Sequence, residues 1–325
     1  MSNQTPIIDM LEKRAAKLEQ RRHFFRKSGG IAAGLVGGTI LGACGGSGSN
    51  AEAQSSGPTD EEILNFALNL EYLEAQFYQF AVFGAGLPAN LLSGVGTQGA
   101  VVGGAKVPFA DPIVAAYAKE IAKDELDHVR FLRTALGASA VAQPAINIDG
   151  TDPNGVFSVA ARAAGIIGAG EIFNPYADDN SFLLGAYIFE DVGVTAYKGA
   201  SPLVKNKTFL EAAAGILAAE AYHAGLVRTV LYSKGFATPG RELFTIAQQI
   251  SDLRDGADGP SDLDQGIEGE DDSISNIVPL DENGIAFSRS PGQVLNIVYL
   301  NNKAVTQGGF FPAGVNGALM MSAAN

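Results

Sequence analysis

A four-residue pattern occurs twice in this chain, as Glu125-Leu-Asp-His128 and as Glu220-Ala-Tyr-His223, and it uses two of the three histidines present. The third, His23, sits in a basic N-terminal segment. On an α-helix, positions i and i+3 share a face with Cβ atoms roughly 5–6 Å apart, so a carboxylate and an imidazole at that spacing reach the same small ion. Two such helices facing each other would hold two ions, and this demands elements long and rigid enough to oppose the pairs. The single cysteine excludes a disulfide framework and any cysteine-based zinc or iron–sulfur site. Carboxylate and imidazole are what remains for binding a metal.

The periodicity supplies the helices. Pro58-Thr59-Asp60-Glu-Glu62 reads as a capped start with acidic residues in the first turn, and apolar residues at Ile63, Phe66, Leu70, Leu73 and Phe77 continue at helical spacing. Glu71 and Glu74 fall on or beside that stripe. A second helix is expected from Pro112 to Leu136, stopped by Gly137, with Glu125 and His128 on one face. A third is expected from Asp179 to Lys198 around Glu190. A fourth, opened by Ser201-Pro202, is expected to run to about Ser233 around Glu220 and His223, with Gly235 closing it. Between helices one and two lies a long glycine-rich link, 83–111, of the kind that crosses a bundle from end to end. Its Gly94-Val-Gly96-Thr-Gln-Gly99 matches the dinucleotide fingerprint in form only, because no strand precedes it and no βαβ unit surrounds it. Residues 158–170 and 241–254 read as further helical pieces, Ser290-Pro291 as the start of a short one, and 255–272 as a solvated acidic loop. No alternating strand pattern stands out among the four long helices.

The two halves also align with each other. Placing Glu125 on Glu220 superposes His128 on His223, Arg133 on Arg228 and Thr134 on Thr229; placing Glu71 on Glu190 superposes Tyr78 on Tyr197. Glu74 then falls opposite Gly193, so Glu71 is the better ligand candidate and Glu74 a candidate additional ligand. The expected set is Glu71, Glu125, His128, Glu190, Glu220 and His223 around two ions, with Tyr78 and Tyr197 as candidates to hydrogen-bond the ligand carboxylates. Arg133 and Arg228 are expected to neutralise acidic side chains near the bundle end. Burying these carboxylates and imidazoles without cations would cost several kcal/mol for each unpaired charge.

Charge and the N-terminus bound the setting. Residues 1–44 hold seven Lys/Arg against three Asp/Glu in a chain of net charge −13, so the body beyond them is strongly acidic and ill suited to nucleic acid. Gln20-Arg-Arg-His-Phe-Phe-Arg-Lys27, followed by a Gly/Ala-rich apolar run too short and glycine-rich to span a membrane, resembles a twin-arginine export signal. Leu41-Gly-Ala-Cys44 resembles a lipobox, which implies a lipidated Cys44 and a membrane-anchored protein of the periplasm or cell envelope. Ala51-Glu-Ala53 offers a plain cleavage site as the alternative. The expected division is signal 1–44, flexible Gly/Ser linker 45–58, helical bundle 59–235 and C-terminal extension 236–325.

The order Glu, Glu-x-x-His, Glu, Glu-x-x-His resembles the ferritin-like superfamily of di-iron and di-manganese carboxylate proteins. More narrowly, Leu68-Asn-Leu-Glu-Tyr-Leu-Glu-Ala75, the run Ala286 to Tyr299 and Gly308-Gly-Phe-Phe-Pro-Ala-Gly314 resemble its branch that includes desiccation-related proteins, over about residues 59–321. The resemblance implies an all-α, ferritin-like four-helix bundle with long crossover connections and a C-terminal extension. Its expected cofactors are two iron or two manganese ions per chain, since both metals accept the same ligands. Such a centre suits an oxidoreductase acting on a small oxidant, dioxygen or peroxide. A metal-stabilised stress or desiccation protein without catalysis, and iron storage, are the second and third expectations.

Overall fold

The computed structural model describes residues 57–269 and 273–325, which places the export signal, Cys44 and most of the Gly/Ser linker outside the described residues. Four long helices form the bundle: α1 (Asp60–Phe83), α2 (Pro112–Leu136), α4 (Asp179–Ala200) and α5 (Lys207–Ala237). Thr59 caps α1 through a reciprocal pair with Glu62, satisfying two backbone donors that the first turn leaves open, and Gly84 ends it in the left-handed region at φ 71°. Asp111, Asp178 and Asn206 cap α2, α4 and α5 with their side chains. α1 lies along α2 and α4 along α5, and the pairs meet through α1 with α4 and α2 with α5.

Several boundaries differ from expectation. Ser201–Leu203 is a 3-10 turn, and α5 begins at Lys207, where Asn206 accepts from the amides of Thr208 and Phe209. α5 also continues past Gly235 to Ala237. A Cβ on Gly235 would sit 2.9 Å from the Phe244 ring, so this glycine permits close helix packing and does not end the helix. The piece expected at 158–170 is the shorter α3 (Val156–Ala163), ended near Gly165 at φ 76°. The links 84–111 and 137–155 also pair: β1 (Val101–Gly103) and β2 (Ile146–Ile148) form a parallel two-stranded sheet, with Val101 opposite Ile146. Three residues a side are too few to show a period-two pattern in sequence.

The extension explains an unusual feature of the bundle. α1 is buried on every side from Ile63 to Val82 except at Phe80, and α4 is nearly so, whereas α2 and α5 each keep a solvent face. A helix that is apolar all round needs a second covering layer. Over α4 that layer is α6 (Glu242–Asp258), α7 (Pro291–Val298) and the tail around Phe310 and Phe311. Over α1 it is the tail together with the interhelical links, where the Tyr72 hydroxyl donates to the Leu91 carbonyl, the Val141 amide donates to Asn65 and the Asn316 amide donates to Asn69. α7 starts with a Ser290/Gln293 capping box, and Phe310 packs on Phe157 and Phe189 with ring centroids 5.3 and 4.9 Å apart. A buried ionic chain ties this layer down. Asp191 of α4 accepts from Arg228 at 2.8 Å and Arg254 at 2.9 Å, Arg254 reaches Asp264, and Arg289 joins Asp264 to Asp258. Each charge in it is compensated, as burial requires.

Candidate metal centre

Each long helix sends one or two chemical groups into the middle of the bundle: Glu71 and Glu74 from α1, Glu125 and His128 from α2, Glu190 from α4, Glu220 and His223 from α5. All the carboxylates are buried, and the His128 and His223 side chains are only 13% and 6% exposed. Glu71, Glu125, His128 and Glu220 offer ligand atoms that all lie within 4.8 Å of one another. His128 Nδ1 is 3.2 Å from Glu71 Oε2, 3.5 Å from Glu125 Oε2 and 3.7 Å from Glu220 Oε1. On the other side His223 Nδ1 is 3.0 Å from Glu125 Oε1 and 3.7 Å from Glu190 Oε2. The two oxygens of Glu125 therefore face different histidines, so this one side chain could hold an ion beside each imidazole.

The tyrosines cross between the halves. The Tyr78 hydroxyl donates to Glu190 Oε1 and the Tyr197 hydroxyl donates to Glu71 Oε1, so each helix of one pair orients the terminal carboxylate of the other. Burial, followed by the charge of the carboxylate each one touches, pushes both phenols well above their ordinary range, so they stay protonated donors. Arg133 departs from expectation. It donates at 2.6 Å to the Tyr72 hydroxyl and pairs with no carboxylate among the described residues, while Arg228 pairs with Asp191 as described. Asp124 has no signal in the sequence. Its Oδ2 is 3.4 Å from His223 Nε2, a partner 99 residues away that only the assembled bundle brings near.

Protein groups alone do not satisfy this cluster. Both oxygens of Glu125, both of Glu220, Glu190 Oε2 and His223 Nδ1 are buried without a hydrogen-bond partner. Burial raises Glu71 to about 7 and Glu190 to about 8, against the pull of His128 and His223, and burial plus neighbouring carboxylates raises Glu74 and Glu220 well above the usual range. Glu125 goes the other way: the proximity of the two imidazoles outweighs its burial and lowers it. Burial depresses the imidazoles, but Glu71 and Glu125 outweigh it at His128, lifting it to about 11, and Glu125 and Glu190 lift His223 to about 9. So many oxygen acceptors converging without donors, with imidazole nitrogens at the same point, fit hard or borderline divalent cations.

A helical bundle with a central carboxylate and imidazole cluster supplied by facing helix pairs is the architecture of the carboxylate metalloproteins. Residues 59–233 match the profile of the family described as Ferritin-like domain, and the chain belongs to that family. It is similar to the ferritin-like catalase Nec2 of Nesocodon mauritianus, 28% identical over 80% of this chain and 84% of that one. It is also similar to the desiccation-related protein PCC13-62 of Craterostigma plantagineum, 31% identical over 73% of this chain and 76% of that one. No solved structure matches it at a significant level.

Proposed function

We propose that this protein is a dinuclear iron or manganese oxidoreductase that disproportionates hydrogen peroxide. The observation that carries the proposal is the two-fold cluster of Glu71, Glu125, His128, Glu190, Glu220 and His223 with its unpartnered buried oxygens. The similarity to a protein named a ferritin-like catalase selects peroxide over dioxygen as the substrate to test first. Two metal ions held there would each change oxidation state by one, the two-electron exchange that peroxide needs. In balance, one peroxide gives up two electrons and two protons to become dioxygen, and a second takes them to become two waters. The chain's own part is to hold and to exclude. Glu125 lies between the two histidines and Glu220 stands beside His128, Tyr78 and Tyr197 keep the terminal carboxylates in one orientation, and the surrounding buried side chains keep bulk water away. Glu74, outside the six candidate ligands, is buried beside them, and burial followed by the neighbouring carboxylates raises it well above the usual range. The export signal and the lipid anchor at Cys44 belong to the same proposal. The mass of the mature N-terminus, beginning at Cys44 or after Ala53, tests them.

Metal content and oxygen evolution form the deciding experiment. About two iron or manganese ions per chain, with one dioxygen released per two peroxides, is the expected result. The Glu125→Ala/Glu220→Ala variant should lose both. A folded protein without stoichiometric metal overturns the proposal. Stoichiometric metal without turnover favours the metal-stabilised reading suggested by the desiccation-related relative, and many irons per chain would indicate storage.

A further inference from the structure

Glu74 and Gly193 break the correspondence between the helix pairs, and both line one small cavity that neither histidine lines. A Cβ on Gly193 would lie 2.2 Å from Glu220 Oε2 and 3.5 Å from Glu74 Oε1, so the absence of a side chain is what opens this space. The cavity measures about 20 Å³, room for about one water-sized molecule, and Glu74 is the one polar side chain on its wall. Its far wall belongs to the extension, through Ile297, Val298 and Phe310. Beyond that wall lies an open pocket of about 470 Å³ whose rim carries Asp252, Asn301 and Asn302. Ile188 of α4 and Ile297 of α7 line both spaces and form the partition between them.

We propose that hydrogen peroxide reaches the centre through the C-terminal extension, from the outer pocket past Ile188 and Ile297 into the cavity at Glu74 and Gly193. The inference rests on the peroxide reading above and adds its route and its selectivity. An apolar wall with a single carboxyl at its inner end admits a small uncharged molecule and rejects ions and bulky hydroperoxides, because an ion would lose its hydration there without compensation. It also gives the extension a purpose beyond covering α1 and α4. The rings of His128 and His223, with centroids 6.2 Å apart, do not line this cavity, and their side chains are 13% and 6% exposed.

The test uses the full, metal-loaded chain and Ile297→Phe, which narrows the partition, with metal content measured in both. The expected result is kcat/KM for peroxide lowered about tenfold with kcat at saturation and metal content unchanged, the pattern of impeded entry. Ile297→Ala, which widens the partition and keeps the assay informative should the larger residue misfold, should gain turnover of tert-butyl hydroperoxide. Xenon-pressurised crystals of Ile297→Ala provide a readout independent of activity, with xenon expected at the widened apolar partition beside Ile188, as in other cavities opened by large-to-small substitution. Unchanged kcat/KM in a metal-replete Ile297→Phe overturns the route, as does failure of Ile297→Ala to accept the larger substrate or a widened partition without xenon. If the loaded wild type turns over no peroxide, the functional reading fails on its own account. Xenon binding then decides whether the passage exists.

Discussion

The pair α1–α2 and the pair α4–α5 carry the same ligands in different surroundings. Glu71 and Glu190, Glu125 and Glu220, His128 and His223, and Tyr78 and Tyr197 occupy matching positions, and the tyrosine bonds even cross reciprocally between the pairs. Around them the correspondence fails. Tyr72 takes the Arg133 bond where Asp191 takes that of Arg228; Asp124 approaches His223 where Ala219 would stand beside His128; Glu74 faces Gly193. Side chains that would serve two ions alike have reason to repeat. Their supports follow what each pair packs against, and the buried ionic chain of the extension joins the second pair alone, through Asp191 and Arg228.

The largest effects should come from removing ligands, and they test whether the pairs are equivalent at the centre. Glu125→Ala, whose oxygens face both histidines, should abolish binding of both ions, whereas Glu71→Ala and Glu190→Ala should each lose one. Elemental mass spectrometry counts the ions. A protein holding metal at about 1,000 times its dissociation constant gains about 4 kcal/mol, so the Glu125 variant should also melt far lower than the wild type with metal present. Equal metal loss in all three variants would break the assignment of Glu125 as the bridge.

Next in size is the contrast between the arginines. Arg228→Met leaves Asp191 with Arg254 alone and strips donors from the carbonyls of Gly266 and Asn276, so about 3–5 kcal/mol of stability should go. Arg133→Met removes one bond to a tyrosine hydroxyl at a half-buried site and should cost about 1 kcal/mol. Urea unfolding of the two variants measures both. Similar losses would mean that the ionic chain does not anchor the second pair.

What the sequence makes legible here is what is local. Caps, apolar stripes and the Glu-x-x-His spacing lie within one or two helical turns, and the helical bundle follows from them. The parallel pairing of Val101 with Ile146 joins links that lie on either side of α2, and nothing within three residues announces it. Gly235 reads as a helix stop because only packing against Phe244 reveals why a glycine is needed inside the helix. Ser201-Pro202 reads as a helix start because proline favours the first turn, yet the cap that decides is Asn206. Glu74 and Glu71 look alike along the stripe. Aligning the two halves separates them, and the structure supplies the reason: Tyr197 donates to Glu71 and Gly193 makes room beside Glu74.

Metal removal should expose a pH dependence of opposite sign to that of most carboxylate proteins. Glu71 and Glu190 rise to about 7 and about 8, so the protonated fold is favoured below their unfolded values and that stability is lost as pH climbs through 7 and 8. His128 and His223, raised to about 11 and about 9, act in the same direction from their ordinary range upward. Within the cluster Glu125 alone is lowered, and its contribution is lost only as pH falls through its depressed value, on the acid side. Chelated protein should therefore melt at a higher temperature at pH 6 than at pH 9. Re-metallated protein should lose that slope, since the cations replace the protons. A chelated protein with a flat profile would show that the cluster relaxes when the ions leave.

The smallest effects sharpen the comparison where the pairs differ least. A carboxylate on the outer nitrogen of a ligating histidine fixes its ring and raises its basicity, and removing such a partner costs about 10–100-fold in metal affinity. Asp124 stands 3.4 Å from His223 Nε2, and residue 219, its counterpart beside His128, is alanine. Asp124→Asn should thus weaken one ion and spare the other, splitting a metal titration into two steps. Tyr78→Phe and Tyr197→Phe form the control, because each removes one bond to a terminal carboxylate and the two bonds are related by the pseudo-symmetry. Their affinity losses should match. Matching losses beside an uneven Asp124 effect would locate the inequivalence of the two ions outside the ligands, in the single carboxylate that one helix pair has and the other lacks.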